Sequence, residues 1–202
     1  MKNCLVLIAL SLLLSGCVKL IYGLHDTKAL DKKEIVELSL KRKIPAADNF
    51  ELDTMYLMFL NKVDTFKYKS SERKNHYQPL QALYYNKAGG LDAFIINCYS
   101  RGFPNLKWNR RGILDTFVPK KQAPPDSILP MFEHLKYLKA LPGAQRFTFG
   151  QDDYTVIVYW SYFMGRQSKR LNKAIEKNVK LAKGKKVRIL YVNTDNFFKK
   201  TL

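Results

Sequence analysis

The chain reads as an α/β domain, with α+β as the alternative arrangement, and two observations carry that reading. Near the C-terminus two apolar runs, Tyr154–Trp160 and Val187–Asn193, flank a segment of helical period. An apolar strand of this kind is buried on both faces of a parallel sheet, and a strand, helix and strand of this length make a right-handed βαβ unit. Earlier, Leu80–Asn86 and Leu91–Ser100 are β-rich runs separated by Lys87-Ala88-Gly89-Gly90. Glycine there supplies the positive φ that a hairpin turn requires, so the hairpin is the natural source of further strands for the sheet.

In chain order, Met1-Lys2-Asn3 and the apolar stretch Cys4–Leu14 precede Leu14-Ser15-Gly16-Cys17. A short basic start, an apolar h-region and small residues before a cut describe a secretory signal. The stretch falls short of the roughly 20 apolar residues a spanning helix needs. Leu14-Ser15-Gly16-Cys17 resembles the lipobox of bacterial lipoproteins, which implies cleavage between Gly16 and Cys17 and acylation of Cys17. The resemblance predicts a protein of the bacterial cell envelope, held on a membrane by lipid at its periplasmic or surface face. Residues 1–16 are then signal peptide, 17–47 a lipidated N-terminus and tether, and 48–202 a single globular domain.

Of the three cysteines, cleavage removes Cys4 and acylation consumes Cys17, leaving Cys98 as the one thiol. Free cysteine is among the most buried residue types, and Cys98 follows a strand-like run, so an inert Cys98 is expected. With 47% hydrophobic and 13% aromatic residues in 202, the chain has ample core for one domain. Lysine and arginine number 35 against 17 acids, a net charge of +18. Such an excess in a cytosolic protein would suggest nucleic acid. The predicted address makes nucleic acid an unexpected partner and brings anionic lipid, acidic polysaccharide or an envelope protein forward.

Within 17–47 one helix or strand is expected, and the partial alternation of Ile35, Val36, Leu38 and Leu40 points to an edge strand over Glu34–Leu40. Leu52, Tyr56, Phe59, Leu60, Val63 and Phe66 recur at helical spacing from Asn49 onward. Lys67–Asn75 reads as a polar break. After the hairpin, 101–125 is rich in glycine and proline and reads as a long ordered loop. Asp126 then caps a second helix through Ile128, Leu129, Phe132, Leu135, Leu138 and Leu141, with Pro130 tolerated in its first turn. Arg146–Gly150 is expected as a short strand. The helix of the βαβ unit starts near Arg166, turns Leu171, Ala174, Ile175, Val179 and Ala182 inward, and shows its lysines outward until Gly184.

The run Tyr159-Trp160-Ser161-Tyr162-Phe163-Met164, then a helix and the strand ending at Asn193, resembles the central βαβ unit of thioredoxin-like proteins. That family places a Trp-Cys-x-x-Cys motif between strand and helix, where the helix N-terminus lowers the first thiol's pKa. Here Ser161 stands at the nucleophile's position and Met164 at the resolving one, so the resemblance implies a degenerate, redox-inactive motif at Trp160, Ser161 and Met164. It covers about 45 residues. The hairpin and two helices would complete the domain from the N-terminal side, in rearranged order.

The expected function is therefore a non-catalytic binding or structural role on a membrane, with no cofactor and no metal. Two rival readings stand. One is an enzyme, either a thiol redox partner using Cys98 or a hydrolase using Ser161, for which none of His25, His76 and His134 lies in a motif that places it as the base. The other is a basic surface for anionic lipid or polysaccharide, with Arg101, Lys107, Trp108, Arg110 and Arg111 as candidate contacts through stacking and charge. Aromatics of a long loop more often pack beneath it while its cations point to water.

Overall fold

A computed structural model describes residues 23–63, 67–68, 70–96, 107–120 and 128–201. Cys17, Gly16, Cys98, Arg101, Phe66 and Asp126, on which several expectations fall, lie outside them. The strands are β1 (Asn49–Leu52), β2 (Gln81–Asn86), β3 (Leu91–Ile96), β4 (Leu138–Ala140), β5 (Tyr154–Trp160) and β6 (Val187–Asn193). They form one mixed sheet in the order β3-β2-β5-β6-β1-β4. β5, β6 and β1 run parallel, while β2 pairs antiparallel with β5 and with β3, and β4 pairs antiparallel with β1.

Among the described residues six α-helices cover the two faces: α1 (Lys32–Lys41), α2 (Tyr56–Asn61), α3 (Ser70–His76), α4 (Met131–Leu135), α5 (Gly165–Val179) and α6 (Asp195–Thr201). Side chains alternate across a strand, so β5 sends Val156, Val158 and Trp160 to one face and Ile157 and Tyr159 to the other. On the first face these meet Ile35 of α1, Leu171 and Ile175 of α5, and Trp108 and Leu114 of the loop. On the second they meet Tyr56 and Leu60 of α2, Met131 of α4, and Phe197 and Phe198 of α6. Among the described residues no helix is long and apolar enough to cross a membrane.

The mixed α/β class, the hairpin and the parallel βαβ pair match the expectation, and β5 and β6 have the expected bounds. Six local expectations do not hold. Glu34–Leu40 is helical because Asp31 and Glu34 form a reciprocal capping box, at 2.8 and 3.0 Å, and Ile35 and Ser39 share one buried face. Asn49–Leu52 is a strand because β6 and β4 flank it; the helix begins only after Asp53, whose carboxylate accepts the Met55 N–H at 2.9 Å. The polar stretch 67–75 contains most of α3, which turns Glu72, Asn75 and His76 inward, a polar face that hydrophobic periodicity does not register.

The helix expected through Leu141 stops at Leu135, and Leu138–Ala140 pairs with β1 as β4; sheet pairing overrides the helical spacing there. Arg146–Gly150 is irregular backbone. Nor is 23–47 a free tether: Leu30, Ile35 and Ile44 are core residues, and the described chain packs onto the domain from Gly23 onward. α6 was not anticipated. Its Asn196 side chain accepts from the Leu30 N–H and donates to the Leu30 carbonyl, both at 2.8 Å.

Candidate functional site

The turn between β5 and α5 carries Trp160, Ser161 and Met164. Trp160 ends β5 wholly buried, with the Arg42 guanidinium 5.0 Å from its ring centroid. A partly desolvated stack of this kind contributes on the order of 1–2 kcal/mol. Burial draws the Arg42 pKa down, and the Asp195 carboxylate opposes that shift. Ser161 is also wholly buried: its Oγ accepts the Met164 N–H at 3.1 Å, and its own N–H donates to Ser168 Oγ at 3.2 Å. The hydroxyl is thus used in closing the turn, and the pairing of Ser161 with a histidine base that hydrolysis requires is not what these contacts provide.

Asp195 completes the turn from the far side of the sheet. Its carboxylate accepts the Tyr162 N–H at 2.6 Å, the Phe163 N–H at 3.1 Å and Asn193 Nδ2 at 2.7 Å. Burial raises its pKa, against the lowering effect of those three donors and of Arg42. Thr194 continues the seam, its N–H donating to the Trp160 carbonyl at 2.9 Å. The backbone donors that a ligand anion would use are therefore held by the chain's own carboxylate.

The N-terminal segment lies across the same turn. The His25 N–H donates to the Phe163 carbonyl at 2.8 Å, and the His25 ring stacks on Tyr162 at 4.5 Å. Gly165 allows this approach: a Cβ there would sit 1.9 Å from the Gly23 carbonyl oxygen, and its φ is +38°. The segment roofs the site.

The loop candidates divide. Trp108 is 3% exposed, with Nε1 donating to the Gln167 carbonyl at 3.2 Å, so its ring is core and offers no stacking surface. Lys107, Arg110 and Arg111 are exposed. Asn178 of α5 fastens this loop: Nδ2 donates to the Leu114 and Thr116 carbonyls at 2.7 and 2.9 Å, and Oδ1 accepts from Tyr84 at 2.9 Å.

A second polar cluster, on the opposite face, was not legible in the sequence. His76 Nε2 lies 2.9 Å from Glu72 Oε2, and Glu72 Oε1 accepts the Ile128 N–H. The His134 ring is 4.9 Å from that of His76, and its Nδ1 is 2.8 Å from Tyr159 Oη and 3.3 Å from Tyr56 Oη. All five side chains are buried. Burial, and secondarily His76, pushes the His134 pKa well below its ordinary value, and burial pushes Tyr56 and Tyr159 up. His134 Nε2 and His76 Nδ1 have no partner among the described residues. Helical spacing of Glu72 and His76 was the one available signal, and nothing in the sequence links it to His134. Among the described residues, no three histidine, cysteine or acidic side chains are grouped to hold a metal. No protein-family model, curated protein or solved structure matches the chain.

Proposed function

We propose that this chain is a lipid-anchored protein of the bacterial cell envelope, acylated at Cys17, whose thioredoxin-like domain is redox-inactive and serves a binding or structural role. The observation that carries the non-catalytic part is the turn after β5. Ser161, at the nucleophile's position, is sealed and hydrogen-bonded into the turn, and Asp195 holds the Tyr162 and Phe163 N–H groups. A site built for exchange chemistry keeps its attacking atom accessible and its helix N-terminus ready for a thiolate. This one does neither.

The sheet supports the thioredoxin-like reading. The motif strand β5 lies between parallel β6 and the antiparallel hairpin, and Pro79 enters the hairpin strand beside it, its carbonyl accepting from Thr194 Oγ1 at 3.2 Å. The departure is chain order, since the hairpin precedes the βαβ unit. The address rests on Leu14-Ser15-Gly16-Cys17.

The test is expression of the full chain in bacteria with a clickable fatty acid, beside Cys17→Ser, followed by a disulfide-reduction assay on the purified protein. Label on the parent chain, its loss in Cys17→Ser, and background reductase activity are expected. Label persisting in Cys17→Ser overturns the anchor, and reductase activity that depends on Cys98 overturns the redox-inactive reading.

A further inference from the structure

We infer that the outer face of α5, with the adjoining 109–115 loop, is the surface this protein lays against its own bilayer, where it takes anionic phospholipid headgroups. The inference rests on acylation at Cys17 for its geometry. Five residues lie between Cys17 and Gly23, and in any conformation the six Cα-to-Cα steps span at most about 21 Å. Gly23 is fixed at the start of α5, its carbonyl accepting the Arg166 N–H at 3.4 Å and pressed against Gly165. An acylated Cys17 therefore holds the N-terminal end of α5 within about 21 Å of the membrane surface.

The charge along that helix suits such a position. α5 carries Arg166, Lys169, Arg170, Lys173 and Lys177, all exposed, against the carboxylate of Glu176, which accepts from Tyr191 Oη at 3.2 Å. Lys180 and Lys183 extend the row, and the adjoining loop carries two further exposed cations, Arg110 and Arg111. The helix is about 22 Å long, so the row can lie flat on a bilayer from the end nearest the anchor. Between loop and helix is a cleft of about 490 Å³ lined by Arg170, Lys173 and Lys177, by Ala174 and the exposed Leu181, and by one carboxylate, Asp115, which accepts from Asn109 Nδ2 at 2.7 Å; the three cations outnumber it. Cations over an apolar floor match a phosphate headgroup with the first carbons of its acyl chains. Asn178 fixes the cleft's width by tying the loop carbonyls to the helix.

The opposite face offers a control. There Lys136 and Lys139 are paired with Glu133 and Asp53, while Lys199 and Lys200 of α6 are exposed. Reversing two charges on either face alters the net charge equally, so only a face-specific contact distinguishes the two variants.

The experiment uses the mature chain, residues 17–202 with Cys17→Ser, which removes both the apolar signal segment and the acyl anchor from the measurement, and co-sediments it with vesicles of phosphatidylcholine alone or mixed equally with phosphatidylglycerol. Binding to the anionic vesicles that weakens with salt, drops by about tenfold or more in K173E/K177E and is unchanged in K199E/K200E is the expected result. Equal loss in the two variants, or no binding to anionic vesicles, overturns the inference. So does α5-dependent binding to a soluble anionic polysaccharide without vesicle binding, which assigns the face to a glycan. Failure of acylation would appear in the fatty-acid labelling and not here. With acylated protein in the same vesicles, amine labelling should spare Lys169, Lys173 and Lys177 relative to Lys199 and Lys200, and uniform labelling counts against the proposed orientation.

Discussion

At the scale of single residues, the His134 site shows how burial sets a pH response. The imidazole lies beside Tyr56, Tyr85 and Tyr159, with His76 the adjacent titratable ring and Glu72 beyond it. Its folded pKa is depressed, so below the unfolded value near 6.5 the unfolded chain binds the proton that the folded chain refuses. The stabilisation it gives is fully present above about pH 6.5 and declines as the pH falls, by up to about 1.4 kcal/mol per unit. Urea unfolding between neutral and mildly acid pH should show that slope, and His134→Gln should flatten it. An unchanged slope in the variant would remove His134 as its source. Asp195 acts in the opposite sense, because burial raises its pKa and the folded state then favours the protonated form; its contribution weakens as pH rises from its unfolded value through the raised one.

At the scale of elements, α5 and the 109–115 loop depend on one amide. Asn178→Ala would remove three hydrogen bonds and leave the Leu114 carbonyl and the Tyr84 hydroxyl buried without these partners. A loss of about 2–4 kcal/mol is expected, read by denaturant titration, with faster amide exchange confined first to the loop. A loss under about 0.5 kcal/mol would mean the loop is held otherwise. The comparison between sequence and structure turns on the same kind of contact. β5, α5 and β6 were legible because each has a continuous apolar signature that local spacing reveals. α3 was not, because its inward face is Glu72, Asn75 and His76. β1 and β4 are short, and their strand character comes from one another and from β6, partners far away in the chain. The place of Trp160, Ser161 and Met164 at the turn between a strand and a helix was legible. The use of Asp195 to close it was not, since no spacing links residue 195 to Tyr162.

At the scale of the whole molecule, Asn196 joins the beginning of the described chain to its end. It makes two hydrogen bonds to the Leu30 backbone and a third to Glu51 at 2.7 Å. Asn196→Ala should lower stability by about 2–3 kcal/mol and expose the chain around Lys28 to limited proteolysis before global unfolding. Proteolysis unchanged from the parent would show that the His25 and Gly23 contacts suffice. The sheet order has a further consequence, for the timing of folding. Among the described strands β6 is synthesised last, yet it stands between β5 and β1. Until it arrives, the strands already made form two unconnected groups, β3-β2-β5 on one side and β1-β4 on the other. A chain emerging from a ribosome therefore cannot join the two groups into one sheet until residues 187–193 have emerged, and its core closes late.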